Sequence, residues 1–227
     1  MALAVGSVAH AGDVITNGNF SSSSYAAGTN DQFGTGFGGQ GVTGWQGNGG
    51  YNIYFGTDVT TNAISQYATP GEHLYPTAFP IDGAFVALDG DTTVQGGISQ
   101  SLTGLQVGKN YTLTFDWAAG QLANRSGDIT EALNVSFGAQ SFNTGTLNVS
   151  SGGFSGWQHV TYVFTASSAN QTLSFLSVGT PNGLPPMALL DNVSLTVPEP
   201  ATWAMMLLGF GGIGAMIRRR RQVLVAA

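Results

Sequence analysis

The sequence predicts an all-β domain, a two-sheet sandwich of the jelly-roll type, followed by a single C-terminal transmembrane helix. Three observations lead to this prediction. Gly contributes 34 of the 227 residues and only 8% of residues are charged, which disfavours long soluble helices. Apolar and polar residues alternate along several short segments, as in strands with one buried face. An uncharged apolar segment near the C-terminus is followed directly by four arginines.

The strand pattern is clearest in the middle of the chain. Tyr111, Leu113, Phe115 and Trp117 alternate with polar residues, so they should share one buried face. The same period predicts further strands, which lie within residues 98–102, 133–137, 160–164, 173–178 and 193–197. Turn residues separate these segments. About eight to ten strands arranged in this way indicate a sandwich or jelly roll.

Two short ends flank this β-rich body. Residues 1–11 read MALAVGSVAHA, an apolar run closed by Ala9-His10-Ala11, which has the A-x-A form of a signal-peptidase site. We therefore expect a signal-peptide remnant at residues 1–11, with a disordered apolar N-terminus as the alternative. On this interpretation residues 12–197 form one β-sandwich domain, and residues 198–227 form a C-terminal tail.

The tail has the features of a membrane helix with marked ends. No charge occurs over residues 201–217, a length at the lower limit for crossing a hydrocarbon core of about 30 Å. An indole suits the membrane interface at one end, and the positive-inside rule places the arginines of the other end in the cytoplasm. The residues of this signal are Pro198, Glu199, Pro200, Trp203, Arg218, Arg219, Arg220 and Arg221.

This tail resembles the PEP-CTERM sorting signal of Gram-negative bacteria, in its PEPxxWA form. The resemblance implies an exosortase, a membrane protease-transpeptidase, as a partner. It also implies that the chain is exported through the inner membrane, anchored there transiently, cut near the PEP motif, and passed to the cell surface or extracellular matrix. We therefore expect the surface form to lack the residues that follow Pro200.

Charge and cysteine content exclude some classes of function. Between Gly12 and Val197 eleven acidic residues stand against two basic ones, which leaves the body a formal charge of about −9. A body this acidic should repel phosphate backbones, so we expect no nucleic-acid partner. The chain has no Cys, which excludes disulfides, thiolate metal sites and Cys nucleophiles.

Short motifs along the body carry a second resemblance. They are Asn17-Gly18-Asn19-Phe20, Gly44-Trp45, Ala87-Leu88-Asp89-Gly90, Gly97–Leu102, Tyr111–Phe115 and Leu189–Leu195. In this order they resemble the galactose-binding-like jelly rolls of carbohydrate-binding modules and of DUF642-type wall proteins. The resemblance spans nearly the whole body and implies a jelly-roll fold.

The same resemblance implies a structural Ca²⁺ between the first and last strands. Ca²⁺ takes six to eight oxygen ligands from carboxylates, amides and carbonyls. Asn17 and Asn19 near the first strand, with Asp191 and Asn192 in the last, are the candidate ligands. Related modules often carry a Glu after the opening Phe, where this chain has Ser21. The alternative is that Asn17-Gly18 is a turn and that Asp191 caps a loop.

Glycan binding needs aromatic rings on loops together with a few polar groups that fix orientation. Four aromatic residues fall in predicted loops, and one arginine of the body lies in a polar loop. These candidates are Trp45, Tyr51, Tyr54, Tyr75 and Arg125. The alternative for each aromatic is core packing, and the alternative for Arg125 is a surface ion pair with Asp128.

We expect no enzymatic activity. The body contains His73 and His159 but no G-x-S-x-G elbow and no H-E-x-x-H motif. The sequence therefore predicts an exported surface or matrix protein that associates non-catalytically with exopolysaccharide. A structural or adhesive surface protein without glycan specificity is the first alternative. A periplasm-facing glycoside hydrolase, which would need two carboxylates at a controlled separation, is the second.

Overall fold

The computed structural model describes residues 12–25, 30–32, 41–56, 74–75, 83–122 and 125–197. These residues contain strands and turns and no helix. The strands belong to one compact unit, Asp13–Thr196. No helix in the described ranges is long and apolar enough to cross a membrane. Residues 1–11 and 198–227, which carry the predicted signal-peptide remnant and sorting signal, lie outside the described residues.

Thirteen strands occur in the described part of the chain. They are β1 Asn30–Gln32, β2 Gln46–Gly47, β3 Asn52–Phe55, β4 Leu74–Tyr75, β5 Phe85–Asp89, β6 Gly97–Leu102, β7 Asn110–Leu122, β8 Ile129–Phe137, β9 Gln140–Asn143, β10 Leu147–Val149, β11 Gln158–Thr165, β12 Gln171–Thr180 and β13 Pro186–Thr196. The expectation of eight to ten strands was too low. The additional strands are short segments of two to four residues with little apolar alternation of their own.

The strands form two antiparallel sheets. The first sheet has the order β1-β3-β5-β13-β7-β11, with β4 pairing with the far end of β7. The second sheet has the order β10-β8-β12-β6-β2, with β9 pairing with β8. Neighbours in each sheet are rarely consecutive in sequence, which is the crossed connectivity of a jelly roll. The predicted all-β sandwich is thus confirmed.

Aromatic side chains from both sheets meet in the interior. Phe115 of β7 contacts Phe175 of β12 edge to face, with ring centroids 5.2 Å apart. Tyr111 and Phe164 of the first sheet both contact Phe137 of the second. Such pairs add favourable geometry to the area that each ring buries. The inward positions of β7, β8 and β12 are those that alternation identified in the sequence.

The first sheet is also buried on part of its opposite face. Ala118 of β7 alternates with Trp117 and therefore points away from the second sheet. It belongs to a buried apolar cluster with Ile53, Phe55, Phe85, Ala87, Met187 and Leu189, against which Phe154 and Trp157 pack. Burial on both faces explains why β5 and the middle of β13 read as continuous apolar runs.

Candidate functional site

An open cavity of about 440 Å³ lies beside the start of β3. Its walls are Gly50, Tyr51, Thr93, Val94 and Gln95. The cavity is broadly open to solvent, and its walls combine one aromatic ring with hydroxyl and amide groups. Tyr51 is 36% exposed, so its ring is accessible at the rim. We call this feature the Tyr51 cavity.

The cavity wall is formed by two chain segments whose backbones lie very close together. The Tyr51 amide donates to the Val94 carbonyl at 2.9 Å, and the Asp89 amide donates to the Tyr51 carbonyl at 3.0 Å. Gly50 has φ +63°, and a Cβ there would overlap the Gln95 carbonyl. A Cβ at Gly96 would overlap the Tyr51 carbonyl oxygen. The two glycines are therefore required for the approach that forms the cavity wall.

The loop after β5 is held by one carboxylate. Asp91 Oδ1 accepts hydrogen bonds from the Thr93 hydroxyl at 2.6 Å and the Thr93 amide at 2.8 Å. Its Oδ2 accepts from the Gly183 amide at 2.6 Å. The Thr93 side-chain and backbone bonds hold the pKa of Asp91 below its usual value. This turn fixes the position of Thr93 on the cavity wall.

Two further carboxyl residues are linked to the cavity walls by hydrogen bonds and have very little exposure. Burial raises the pKa of Asp89 to about 7, although the Asp91 amide hydrogen bond acts in the opposite direction. Burial also raises the pKa of Glu131 well above its usual value, and the charge of nearby Asp89 adds to the effect. Asp89 is 3% exposed and Glu131 is 0% exposed, so the pair does not flank an open cleft.

The cavity presents polar atoms that a sugar can use. Gln95 Nε2 donates to the Ser177 carbonyl at 2.7 Å, which orients the side-chain amide. No hydrogen bond within the described ranges occupies Gln95 Oε1, so this atom can accept from a hydroxyl. An accessible aromatic ring beside a fixed amide oxygen is an arrangement suited to a neutral, hydroxyl-rich ligand.

Two of the predicted loop aromatics are core residues instead. Trp45 is 5% exposed, donates through Nε1 to the Asn17 carbonyl at 3.0 Å, and contacts Phe20 and Phe175. Tyr54 is buried in β3 and stacks on Tyr25 at 5.1 Å. Their burial favours the core-packing alternative for both rings, and a glycan role for Trp45 and Tyr54 stays an untested prediction. Neighbouring Gly and polar residues in the sequence concealed this burial.

The other two glycan candidates lie on elements other than the segments that form the cavity walls. Tyr75 lies in the short strand β4, and its side chain is outside the described part. Arg125 is exposed in the loop before β8. Asp128 accepts a hydrogen bond from the Ser151 amide at 3.0 Å and forms no ion pair with Arg125 in the described residues. The roles of Tyr75 and Arg125 stay predictions.

The four candidate Ca²⁺ ligands do come from segments that meet. The Val193 amide donates to the Gly18 carbonyl at 2.9 Å, which places Asn17 and Asn19 beside the end of the Asp191–Asn192 segment. We call this feature the Asn17 corner. A Cβ at Gly18 would overlap the Val193 carbonyl oxygen, so the approach again depends on a glycine.

Side chains at the Asn17 corner already bind protein groups. Asn17 Oδ1 accepts from the Ser22 amide, and its Nδ2 donates to the Ser22 and Thr43 carbonyls. Asn19 Oδ1 accepts from the Ser21 amide and hydroxyl. Asp191 Oδ1 accepts from the Asn192 amide at 2.6 Å.

The last of the four candidates also has a protein partner. Asn192 Nδ2 donates to Asp116 Oδ2, and His159 Nδ1 contacts the other Asp116 oxygen at 2.7 Å. No group of three or more acidic, His or Cys side chains able to hold a metal occurs among the described residues. Ca²⁺ at this corner stays a prediction.

Sequence reasoning missed most of the cavity wall. Thr93 and Gln95 lie in a turn-rich segment with no apolar period. Glu131, which is not a wall residue, lies within the apolar alternation of β8. One signal was present in the sequence: glycines at positions 50, 90 and 96 mark close backbone approaches. Nothing in the sequence indicated which segments those glycines approach.

Two family models match the chain. The DUF642 family, described as a protein of unknown function, matches residues 13–196. The PEP-CTERM protein-sorting motif matches residues 196–221. The predicted resemblances to the PEP-CTERM signal and to DUF642 proteins are thereby confirmed. The sorting motif indicates an exported chain with a surface or extracellular destination.

Individual similar proteins cover the chain less fully. Halomucin of Haloquadratum walsbyi (strain DSM 16790 / HBSQ001) is 33% identical over 119 residues, which are 51% of this chain and 1% of that protein. The CBM22-1 xylan-binding domain of Paenibacillus barcinonensis Xyn10C aligns over 78% of this chain and 100% of its own, with 12% identity and a TM-score of 0.39. TmCBM61, solved with β-1,4-galactotriose, aligns over 69% and 90%, with 15% identity and a TM-score of 0.38.

Proposed function

The chain belongs to the DUF642 family, and from this premise we propose that it is an exosortase-processed surface or matrix protein of a Gram-negative bacterium that associates non-catalytically with extracellular polysaccharide. One observation carries the proposal. The sorting-motif match begins at residue 196, where β13 ends, so the signal directly follows the sandwich. The domain is then the part that reaches the surface.

The Tyr51 cavity supports polysaccharide as the ligand. Its ring is accessible, its amide oxygen is oriented, and its five wall residues carry no charge. The ionisable groups whose backbone or turn is bonded to its walls, Asp89 and Asp91, are acidic and not basic. A neutral glycan therefore suits this cavity better than a polyanion. The buried position of Asp89 and Glu131 disfavours the glycosidase alternative, which needs carboxyl groups on both sides of a bound sugar.

A structural surface protein without glycan specificity is the second candidate. The burial of Trp45 and Tyr54 favours it, because two of the rings expected to contact sugar support the core instead. The two candidates differ in whether the Tyr51 cavity has a saturable ligand.

The test is binding of the full-length chain in detergent to the host's own exopolysaccharide, measured by calorimetry. Tyr51→Ala removes the exposed ring of the cavity, and Tyr162→Ala removes a ring of β11 with the same 36% exposure elsewhere. We expect Tyr51→Ala to weaken binding about tenfold or more, roughly 1.4 kcal/mol, while Tyr162→Ala binds as wild type does.

Three other outcomes would change the proposal. Equal losses from both tyrosine variants would indicate nonspecific adhesion through exposed rings. Undiminished binding by Tyr51→Ala would move the site away from the cavity. No binding by any chain would favour the structural candidate. Sorting is tested separately by replacing Pro198, Glu199 and Pro200 with Ala, after which we expect the protein to remain in the membrane fraction.

A further inference from the structure

Glu131 has an unusual environment for a carboxylate. Its Oε1 accepts three hydrogen bonds, from the Ala132 amide at 2.9 Å, the Ser177 hydroxyl at 3.0 Å and the Val178 amide at 3.1 Å. Its Oε2 is buried and has no hydrogen-bond partner in the described residues. A buried charge with one unpaired oxygen carries a large desolvation cost, so this group needs a physical explanation.

Two glycines enclose the unpaired oxygen. A Cβ at Gly90 would overlap Glu131 Oε2, and a Cβ at Gly179 would lie 2.6 Å from it. The Gly179 amide donates to the Gly90 carbonyl at 3.0 Å. Gly90 follows β5 of the first sheet and Gly179 lies in β12 of the second, so this hydrogen bond joins the two sheets. Glu131 therefore contacts the point where the sheets are linked.

The charges that face Glu131 favour its neutral form. Asp89, at the end of β5, is the ionisable group that acts on it, and Asp91 acts in turn on Asp89. From β12 it meets Ser177, Val178 and Gly179, which carry no charge. No ion pair in the described part of the chain involves any of these three carboxyl groups. Since the glycine backbones enclose Oε2, a proton fits there and a hydrated cation does not.

Both buried carboxyl residues connect to the walls of the Tyr51 cavity. Ser177 donates through its hydroxyl to Glu131, and its carbonyl accepts from Gln95 Nε2. The Asp89 amide donates to the Tyr51 carbonyl, and its carbonyl accepts from the Gly96 amide at 2.7 Å. A movement of Glu131 away from Ser177 would therefore disturb the residue that orients Gln95.

We propose that Glu131 is a pH-dependent latch on the Tyr51 cavity: the protonated group allows the two sheets to close at Gly90–Gly179, and its ionisation opens that link and weakens ligand binding. The link itself does not depend on the identity of the ligand. The effect on ligand binding rests on the proposed function of the cavity.

The sign of the effect follows from protonation. Burial raises the pKa of both Asp89 and Glu131 in the folded state, whereas the unfolded chain titrates near its ordinary value of about 4. The folded state then holds protons that the unfolded state has already lost. Stability is highest at acid pH and falls as pH rises from about 4 through about 7, where Asp89 ionises, and further as Glu131 ionises.

The test compares the full-length chain with Glu131→Gln, which keeps the shape of the side chain and cannot ionise. Asp128→Asn, in the loop directly before the same strand, is the matched control because Asp128 is exposed. Amide hydrogen exchange, corrected for the intrinsic rate, is measured at about pH 5 and pH 9 together with thermal melting. We expect wild type and Asp128→Asn to exchange about tenfold faster around Gly90 and Gly179 at the higher pH and to melt several degrees lower.

We expect Glu131→Gln to lose the part of that pH dependence that Glu131 contributes at Gly90 and Gly179, and to keep the fall in melting temperature that the ionisation of Asp89 produces. An unchanged pH dependence in Glu131→Gln would overturn the latch. If this variant does not fold, the wild-type exchange map decides: acceleration confined to Gly90, Gly179 and the cavity walls supports the latch, and equal acceleration of β6 contradicts it.

Calorimetry with exopolysaccharide at the same two pH values tests the ligand step. We expect wild type to bind about tenfold more weakly at the higher pH and Glu131→Gln to bind equally at both. Equal wild-type affinity at both values would overturn the effect on the cavity. Absence of binding at any pH, with the exchange difference intact, would refute the proposed function and leave the latch standing.

Discussion

The Asn17 corner and the Tyr51 cavity both form where a glycine allows two backbones to approach closely. They differ in whether their polar side-chain atoms are already hydrogen-bonded to the protein. The close approaches are Gly18 against Val193 and Gly96 against Tyr51. At the corner, Asn17 uses its side-chain oxygen and nitrogen in hydrogen bonds to Ser22 and Thr43. At the cavity, Gln95 Oε1 has no bond among the described residues. A polar cluster becomes a candidate binding site when the protein leaves its atoms unoccupied.

The aromatic residues nearest each feature show the same contrast. Trp45 lies at the corner with its indole nitrogen bound to the Asn17 carbonyl, and its ring completes the core. Tyr51, six residues later, has its backbone in the cavity wall and part of its ring in solvent. Proximity in sequence therefore says little about whether a ring supports the fold or meets a ligand.

Trp45→Ala and Tyr51→Ala should distinguish a core role from a ligand-binding role. The difference between their free energies of unfolding should be the largest effect of those considered. Removing a buried indole lowers the free energy of unfolding by about 3–5 kcal/mol, because the variant loses the burial of the ring and also keeps an empty space where the ring was. Removing a partly exposed ring should cost less than about 1 kcal/mol. Urea unfolding of both variants measures the difference. A Trp45→Ala protein as stable as Tyr51→Ala would show that the indole does not belong to the core.

Gly18→Ala tests the close approach of Gly18 to Val193 at the Asn17 corner. It should have the next largest effect on stability. A Cβ there overlaps the Val193 carbonyl, so the first segment and β13 must separate, at a cost of about 1–3 kcal/mol. Gly41→Ala is the control, since a Cβ at that glycine meets no atom of the described residues within 4 Å. Thermal melting compares the two variants. Equal melting temperatures would mean that the backbones at the Asn17 corner can move apart to accommodate the Cβ without loss of stability.

The sequence predicted the strands that carry one buried face and missed features that depend on distant contacts. Alternation located β7, β8 and β12 because burial on one face leaves a period of two. It could not reveal that the far end of β7 is buried on both faces, where Ala118 and Ala119 break the alternation. Tyr162 follows the apolar period of β11 and is nevertheless exposed, because β11 lies at a sheet edge.

The candidate site was predictable only in part for a related reason. Tyr51 was identifiable as an aromatic in a loop, but Trp45 and Tyr54 have the same local pattern and are buried. Gln95 and Ser177 are far apart in sequence and meet only because β6 pairs with β12. A local sequence pattern shows the period of a strand, but it does not show which residues of two paired strands lie opposite each other.

Asp91→Asn should have the smallest effect, and its pH dependence should run opposite to that of the buried pair. Hydrogen bonds hold the pKa of Asp91 below its usual value, so the stability it contributes is present above about pH 4 and is lost as pH falls through the folded pKa. Asn offers one acceptor where the carboxylate offers two, so the bonds from Thr93 and Gly183 cannot all persist. We expect a loss of about 1 kcal/mol near neutral pH, measured by urea unfolding, that shrinks as pH falls through the folded pKa of Asp91, because the wild-type carboxyl then becomes protonated too. Asp128→Asn, which alters a single backbone hydrogen bond on another loop, is the comparison. A loss of the same size above and below the folded pKa of Asp91 would mean that shape at position 91, and not its charge, holds Thr93 on the cavity wall.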